Sequence, residues 1–287
     1  MTWQRTREGL PDRYINRARV LISLLERQSR LTPGATVLEV GTGYVHWESL
    51  IIRLMADTET TLYDIVDDRL FEVFKLYASE LKPQLEFIGL PSTRTEAALK
   101  VLKVIENASH FEEVYTELSW TYALDKSGSM KNLPDAGFDF VVSSDVLEHV
   151  DRSIIESFLS EMYRLMRPDS YAFHSIDLCD HLSNFDPKAP TKFYYKFDGS
   201  TWDRWFNSKV QYINRVQRPE WLTFFRRAGF ELVSEDTVCG VEKGREHLRD
   251  PLGIEKVHPF YANLAQLDLE TRTLLLLLRK NGARVIT

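Results

Sequence analysis

The sequence predicts an α/β protein with a parallel sheet covered by helices on both faces. Two patterns carry this expectation. Short β-branched apolar runs alternate with helical periodicity along most of the chain, and the first such run breaks at two glycines just ahead of a helix. Composition agrees. With 287 residues, 44% hydrophobic and 27% charged, the chain has the balance of a soluble protein that buries a full core. One domain over 1–287 with insertions is therefore expected.

The elements follow in order. An amphipathic N-terminal helix over 12–30 places Ile15, Ala18, Leu21, Ile22 and Leu25 on one face and ends before Thr32-Pro33-Gly34. Strand Thr36–Val40 leads through a glycine turn into a helix over His46–Met55. Strand Thr60–Asp64 leads into a helix over Arg69–Leu81, completing a β-α-β unit. A helix over Glu96–Asn107 comes next, then a linker toward a weaker strand near Leu118–Leu124. Strand Phe138–Val142 leads into a helix over Ser153–Met166, stopped before Arg167-Pro168, and Tyr171–Leu178 forms another strand. From 179 to 218 periodicity fails and aromatic residues accumulate, among them Phe193, Tyr194, Tyr195, Phe197, Trp202, Trp205 and Phe206. So long a stretch reads as an aromatic-rich inserted cap. A helix over Pro219–Ala228, a strand over Phe230–Val238, a second insert over 239–270 and a last strand over Thr273–Arg279 complete the chain.

Composition also excludes function classes. The formal charge of −6 offers no general attraction to a phosphate backbone, so nucleic acid is not an expected partner. Cys179 and Cys239 lack the spacing of a zinc site or a disulfide framework, which fits a reducing cytoplasm. The stretch Met1 to Arg30 is interrupted by Arg and Glu and does not read as a signal peptide. The most apolar run, Leu274–Leu278, is far short of the ~20 residues a membrane span needs and reads as a buried strand.

The chemistry concentrates at strand ends. Gly41-Thr42-Gly43 lies at the carboxyl end of the first strand, where open α/β sheets bind ligands, and Asp64 ends the next strand, where an acid accepts bonds from ribose hydroxyls. The third glycine of a dinucleotide fingerprint is replaced by His46, and Glu39 before the turn repels phosphates while suiting an amino group. A ribose-containing cofactor without phosphates, S-adenosylmethionine, fits better than NAD, although turn glycines with a surface acid would look similar.

Together, Val37-Leu38-Glu39-Val40-Gly41-Thr42-Gly43, Asp64 and the segment Phe138 to Val150 with its Asp145-Val146-Leu147-Glu148-His149 string closely resemble the class I S-adenosylmethionine-dependent methyltransferases. The resemblance covers roughly residues 30–280. It implies a Rossmann-like, seven-stranded, mostly parallel sheet whose final strand is antiparallel. It also implies that Glu39, Gly41, Thr42 and Gly43 surround the methionine part of the cofactor, Asp64 the ribose, and Asp145 and Val146 the methionine and sulfonium. Asp125 is the nearest match to the adenine-binding acid, with a longer following loop than usual. Val45 also departs from the glycine many members have there.

Methyl transfer from a sulfonium is an in-line displacement, so the enzyme positions the nucleophile, and a hydroxyl acceptor also needs a base. Asp177-Leu178-Cys179-Asp180-His181 follows the strand neighbouring the fourth in this fold. His181 is the expected base, oriented by Asp180 or Asp177, with Asp177 also facing the acceptor. These residues would serve equally as caps of the next loop. Glu148 and His149 are expected to open the helix after the fourth strand, His149 as a hydrogen-bonder or a second catalytic group. Asn214 and Arg215 are candidates for binding an acceptor rich in hydroxyls or acids. The tract from 180 onward resembles bacterial methyltransferases of glycan or small-molecule biosynthesis. O-methylation of a small molecule or sugar is the leading expectation. The alternatives are a cofactor-binding protein without transfer activity, an NAD-dependent oxidoreductase, and a metal-assisted O-methyltransferase using Asp145, Asp177 and Asp180. No metal is expected, and the acceptor and oligomeric state are left open.

Overall fold

The computed structural model describes residues 8–28, 31–184, 189–206, 212–239 and 257–282. Seven strands form one sheet in the order β3-β2-β1-β4-β5-β7-β6. They are β1 (Thr36–Val40), β2 (Glu59–Asp64), β3 (Trp120–Leu124), β4 (Phe138–Ser144), β5 (Met166–Asp177), β6 (Glu231–Cys239) and β7 (Thr271–Arg279). β1 runs parallel to β2 and β4, and β2 parallel to β3, whereas β7 is antiparallel to both β5 and β6. The chain divides into two compact units, 1–143 with 165–170, and 144–164 with 171–287.

In the first unit the helices are α1 (Asp12–Gln28), α2 (Trp47–Met55), α3 (Phe71–Leu81), α4 (Thr95–Asn107) and α5 (Phe111–Leu118). The apolar stripe read for α1 is its buried face, since Ile15, Ala18, Leu21, Ile22 and Leu25 are all buried. Each of the larger side chains contributes about 1.5–3 kcal/mol relative to exposure. α2 buries Leu50, Ile51, Ile52 and Leu54. The helix α5 is absent from the sequence expectation, which had a linker there; its Phe111, Val114, Tyr115 and Leu118 are buried.

α5 matters because of His46. This residue caps the start of α2 with φ 45°, in the left-handed region that a third glycine of the turn would adopt freely. Its ring is fully buried among Phe74, Phe111, Tyr115, Trp120 and Tyr122. Nδ1 pairs with the Thr42 hydroxyl and Nε2 with the Tyr115 hydroxyl at 2.7 Å. Burial lowers its pKa to about 3, against an ordinary value near 6.5. The folded protein therefore holds His46 neutral where the unfolded chain takes up a proton. Its contribution to stability is complete above about pH 6.5 and declines as pH falls toward 3. We expect a loss of about 2 kcal/mol from this residue between pH 7.5 and pH 5. Urea titrations of the wild type and His46→Gln at the two pH values measure it, and an equal loss in the variant would refute the assignment.

In the second unit α6 (Ile155–Leu165), α7 (Gly199–Trp205), α8 (Arg218–Arg227) and α9 (Gln266–Glu270) accompany β5, β6 and β7. The leucine run lies on β7, where Leu274, Leu276, Leu277 and Leu278 are buried; paired on both edges, the strand needs no polar face. α8 starts on a capping box between Gln217 and Glu220, with Pro219 in its first turn. Two expectations are corrected. β5 begins at Met166 rather than Tyr171, and it accommodates Pro168 because its ladder with β7 starts only at Tyr171. Glu148 and His149 do not open a helix. They lie in a single 3-10 turn, Leu147–His149, and α6 starts at Ile155.

The inserted stretch is a small core of its own. Tyr194, Tyr195, Trp202, Ile213 and Tyr261 are buried together, with Phe193 and Phe197 packed against them. Several of its polar atoms are paired: Lys192 Nζ donates to Tyr194 Oη at 3.1 Å and to Gln217 Oε1 at 3.3 Å, and Tyr194 Oη donates to the Leu178 carbonyl. Most of the rings of the expected cap thus pack on each other, Phe206 against Phe193, Phe197 and Trp202 among them, while Trp205 remains exposed. Of the second insert, residues 240–256 lie outside the described residues.

Candidate active site

In the first unit three strand ends form a ledge. Gly41 and Thr42 donate their N–H groups to the carbonyl of Tyr63 on β2, at 2.8 and 3.3 Å. Gly41 and Gly43 both have left-handed φ, 72° and 58°. The N–H of Gly43 donates to Asp64 Oδ2 at 2.9 Å, and the N–H groups of Ile65 and Val66 donate to Oδ1. Asp64 so ties the loop to the end of β2 while keeping acceptor capacity for further donors. Asp125, directly after β3, donates its N–H to the Asp64 carbonyl at 2.9 Å. Its carboxylate accepts from Ser127 and from Tyr63 Oη, and these bonds, those of Ser127 foremost, lower its pKa to about 2. It is ionised at any physiological pH.

Two loop residues face inward. Glu39 is 2% exposed and sits beneath the loop, its Oε2 accepting from the N–H and the hydroxyl of Ser49 on α2. Burial, with the nearby charge of Glu48, raises its pKa to about 8. The Thr42 hydroxyl is taken by His46. Both side chains are thus held by partners within the protein.

Gly43 tests whether the ledge suits the cofactor. A β-carbon at this residue would meet nothing within 4 Å, so the glycine opens onto space, as backbone approached closely by a ligand requires. With Asp64 and Asp125 as acceptors on adjacent strand ends, the residues fit a ribose-containing, phosphate-free cofactor. Gly43→Ala should lower affinity for S-adenosylmethionine about tenfold, with Tm falling by no more than about 4 °C from the cost of left-handed alanine. Calorimetric titration and a melting curve check both; unchanged affinity would count against the loop.

The second unit holds a different cluster. Asp145 has φ 56° and its N–H donates to the Ser175 carbonyl at 3.0 Å; Val146 leads into the turn that carries Glu148 and His149. His149 Nδ1 lies 2.8 Å from the Tyr212 carbonyl, so it carries the proton and donates there, leaving Nε2 as acceptor. The His149 and His181 ring centroids are 4.9 Å apart. His181 Nε2 lies 3.5 Å from Asp177 Oδ2. Burial opposes charge on His181, but the bond and charge of Asp177, then Asp180 and Asp145, outweigh it and raise its pKa. Glu148 is buried, and neither of its carboxylate oxygens has a hydrogen-bond partner. Burial, with the charges of Asp145 and Asp177, pushes its pKa well up.

Asp177, rather than Asp180, is the partner of His181. Asp180 is buried, with Oδ1 accepting from the Leu182 N–H at 2.9 Å. Asn214 and Arg215, the candidates for binding an acceptor, both have partners within the protein. Asn214 Nδ2 donates to the carbonyls of Leu147 and Val150, and its Oδ1 accepts from Val216 N–H. Arg215 pairs with Asp203 at 3.0 Å and lies over the Trp202 ring. The sequence reading missed Glu148 as a member of the cluster. An acid between Leu147 and His149, next to a segment otherwise buried, was the available signal.

With both regions described, the comparisons can be set beside them. A family model described as a methyltransferase domain matches residues 13–235. The chain belongs to the class I S-adenosylmethionine-dependent methyltransferases. None of the curated proteins matches the sequence. Among solved structures, this methyltransferase is similar to the phosphoethanolamine N-methyltransferase 2 of Haemonchus contortus in complex with S-adenosylmethionine, at 15% identity and TM-score 0.50, over 91% of this chain and 52% of that one. It is similar to an S-adenosylmethionine-dependent methyltransferase of Methanosarcina mazei at 12% identity and TM-score 0.49, over 89% and 96%. A third, from Mesorhizobium loti, matches at 15% and 0.46, over 86% and 91%. At these identities the likeness is one of fold. S-adenosylmethionine is the cofactor. Among the described residues no helix is long and apolar enough to cross a membrane.

Proposed function

We propose that this methyltransferase acts on a hydroxyl of a small molecule, sugars and glycan precursors included. The observation that carries the reading is the imidazole of His181 held 3.5 Å from the Asp177 carboxylate, beside a second histidine. S-adenosylmethionine supplies, when bound, an electrophilic methyl group on a sulfonium. The chain's own part is to hold the cofactor and to prepare the nucleophile. Asp64 binds ribose hydroxyls, Gly43 lets the backbone come close, and Asp125 is the acceptor nearest to an adenine amino group. A neutral hydroxyl is a poor nucleophile, and the His181–Asp177 pair takes its proton as the new bond forms. The exposed ring of Trp205 offers a face for an acceptor to stack on. Both cysteines are unpaired, which supports a reducing, cytoplasmic setting.

The test is direct. The purified chain is incubated with S-adenosylmethionine and a panel of small hydroxyl compounds, sugars and phenols among them, each matched with its amine and deoxy analogue. Mass spectrometry should find a product one methyl group heavier from a hydroxyl compound and none from its deoxy analogue. Methylation confined to the amines would overturn the choice of oxygen.

A further inference from the structure

We propose that Glu148, His149 and His181 form a binding site for a divalent transition-metal cation. One ligand atom from each of the three, a carboxylate oxygen and two ring nitrogens, lies within 4.8 Å of the others. A cation with bonds of about 2.0–2.2 Å draws its ligand atoms to about 3–3.5 Å from each other, so side-chain rotation of roughly an ångström closes the site. His149 can supply it, because its side chain is 44% exposed.

Three features go beyond proximity. Glu148 is a carboxylate with 3% side-chain exposure whose two oxygens are buried without a hydrogen-bond partner. Such a group costs stability unless something completes its coordination, and a cation does so. His149 already shows the arrangement of a metal ligand: its Nδ1–H donates to the Tyr212 carbonyl, which fixes the tautomer and presents Nε2 with a lone pair 3.9 Å from Glu148 Oε1. His181 has a carboxylate, Asp177, as its outer partner, the other common support of a ligating imidazole. Two imidazoles and one carboxylate form a borderline donor set, which selects zinc, manganese or iron over calcium or magnesium.

The catalytic consequence rests on the hydroxyl reading above. An acceptor hydroxyl beside a divalent cation is a stronger acid, and with His181 serving as ligand its proton passes to Asp177. The metal site itself is independent of that reading.

Tag-free full-length protein, stripped with a chelator and dialysed, is titrated calorimetrically with Mn2+ and, separately, with Zn2+. At least one should bind at one equivalent with micromolar or tighter Kd. Glu148→Gln and His149→Ala should each weaken it at least tenfold, with wild-type circular dichroism; His149 is exposed enough that its truncation leaves the fold intact. Failure of both cations to bind, or binding at wild-type strength in both variants, overturns the proposal. The two readings fail separately. Methyl transfer by chelator-treated, metal-free protein refutes the catalytic part assigned to the cation and leaves the function standing. Cation binding without transfer to any hydroxyl does the reverse.

Discussion

Alanine in place of His181 is expected to lower kcat about 10²- to 10³-fold while affinity for S-adenosylmethionine stays within about twofold. The two readouts rest on different residues. His181 belongs to the cluster with Asp177, His149 and Glu148, and the cofactor ledge is made of Gly41, Gly43, Asp64 and Asp125. Removing the imidazole takes away the place where the acceptor's proton is lost, as base or as cation ligand, and leaves the ledge untouched. Single-turnover rates with a hydroxyl acceptor, alongside calorimetric titration of the cofactor, measure both. A parallel loss of cofactor affinity would mean that His181 acts through the fold. Asp177→Asn should reproduce most of the kcat loss, because the amide neither orients the imidazole as well nor accepts a proton.

Replacing Asp64 by alanine is expected to weaken S-adenosylmethionine binding about 100-fold, or about 2.7 kcal/mol. Two losses add. The ribose loses a charged acceptor, and the N–H groups of Gly43, Ile65 and Val66 lose the carboxylate that fixes them. Asp64→Asn separates the terms: its amide oxygen keeps part of the loop anchoring but not the charge, so an intermediate affinity is expected. Calorimetry on the three proteins decides. Wild-type affinity in the alanine variant would remove Asp64 from the site.

The ledge was legible because each part is a local pattern. A β-branched run ends at Gly41-Thr42-Gly43, a second ends at Asp64, and a glycine where φ is positive announces itself by residue type. Helix α1 was equally legible through its stripe. What failed depended on distant contacts. Glu39 stands out by its position before the turn, but its burial and its two bonds from Ser49 are not visible in the local pattern. His46 read only as a missing glycine, and its place in an aromatic cage needed helix α5, which is eight residues long and too short for periodicity to declare. Asn214 lies far from Leu147 and Val150 in sequence, so no pattern could assign its amide to their carbonyls.

The role of Asn214 bears on how this enzyme can change. The turn carrying Glu148 and His149 belongs to no sheet ladder, and much of its outline is set by a strap from the insert: the Asn214 amide, the Asn214 N–H on the Glu148 carbonyl at 2.8 Å, and the Tyr212 carbonyl on His149. Under the proposed function, acceptor recognition by the insert and reactivity at the turn would share one piece of chain. Grafting an insert from a relative to alter acceptor choice would also recast the reactive turn, unless residues 212–216 travel unchanged. Divergence of acceptor range in this lineage should then proceed through the rest of the insert, around a strap that stays put.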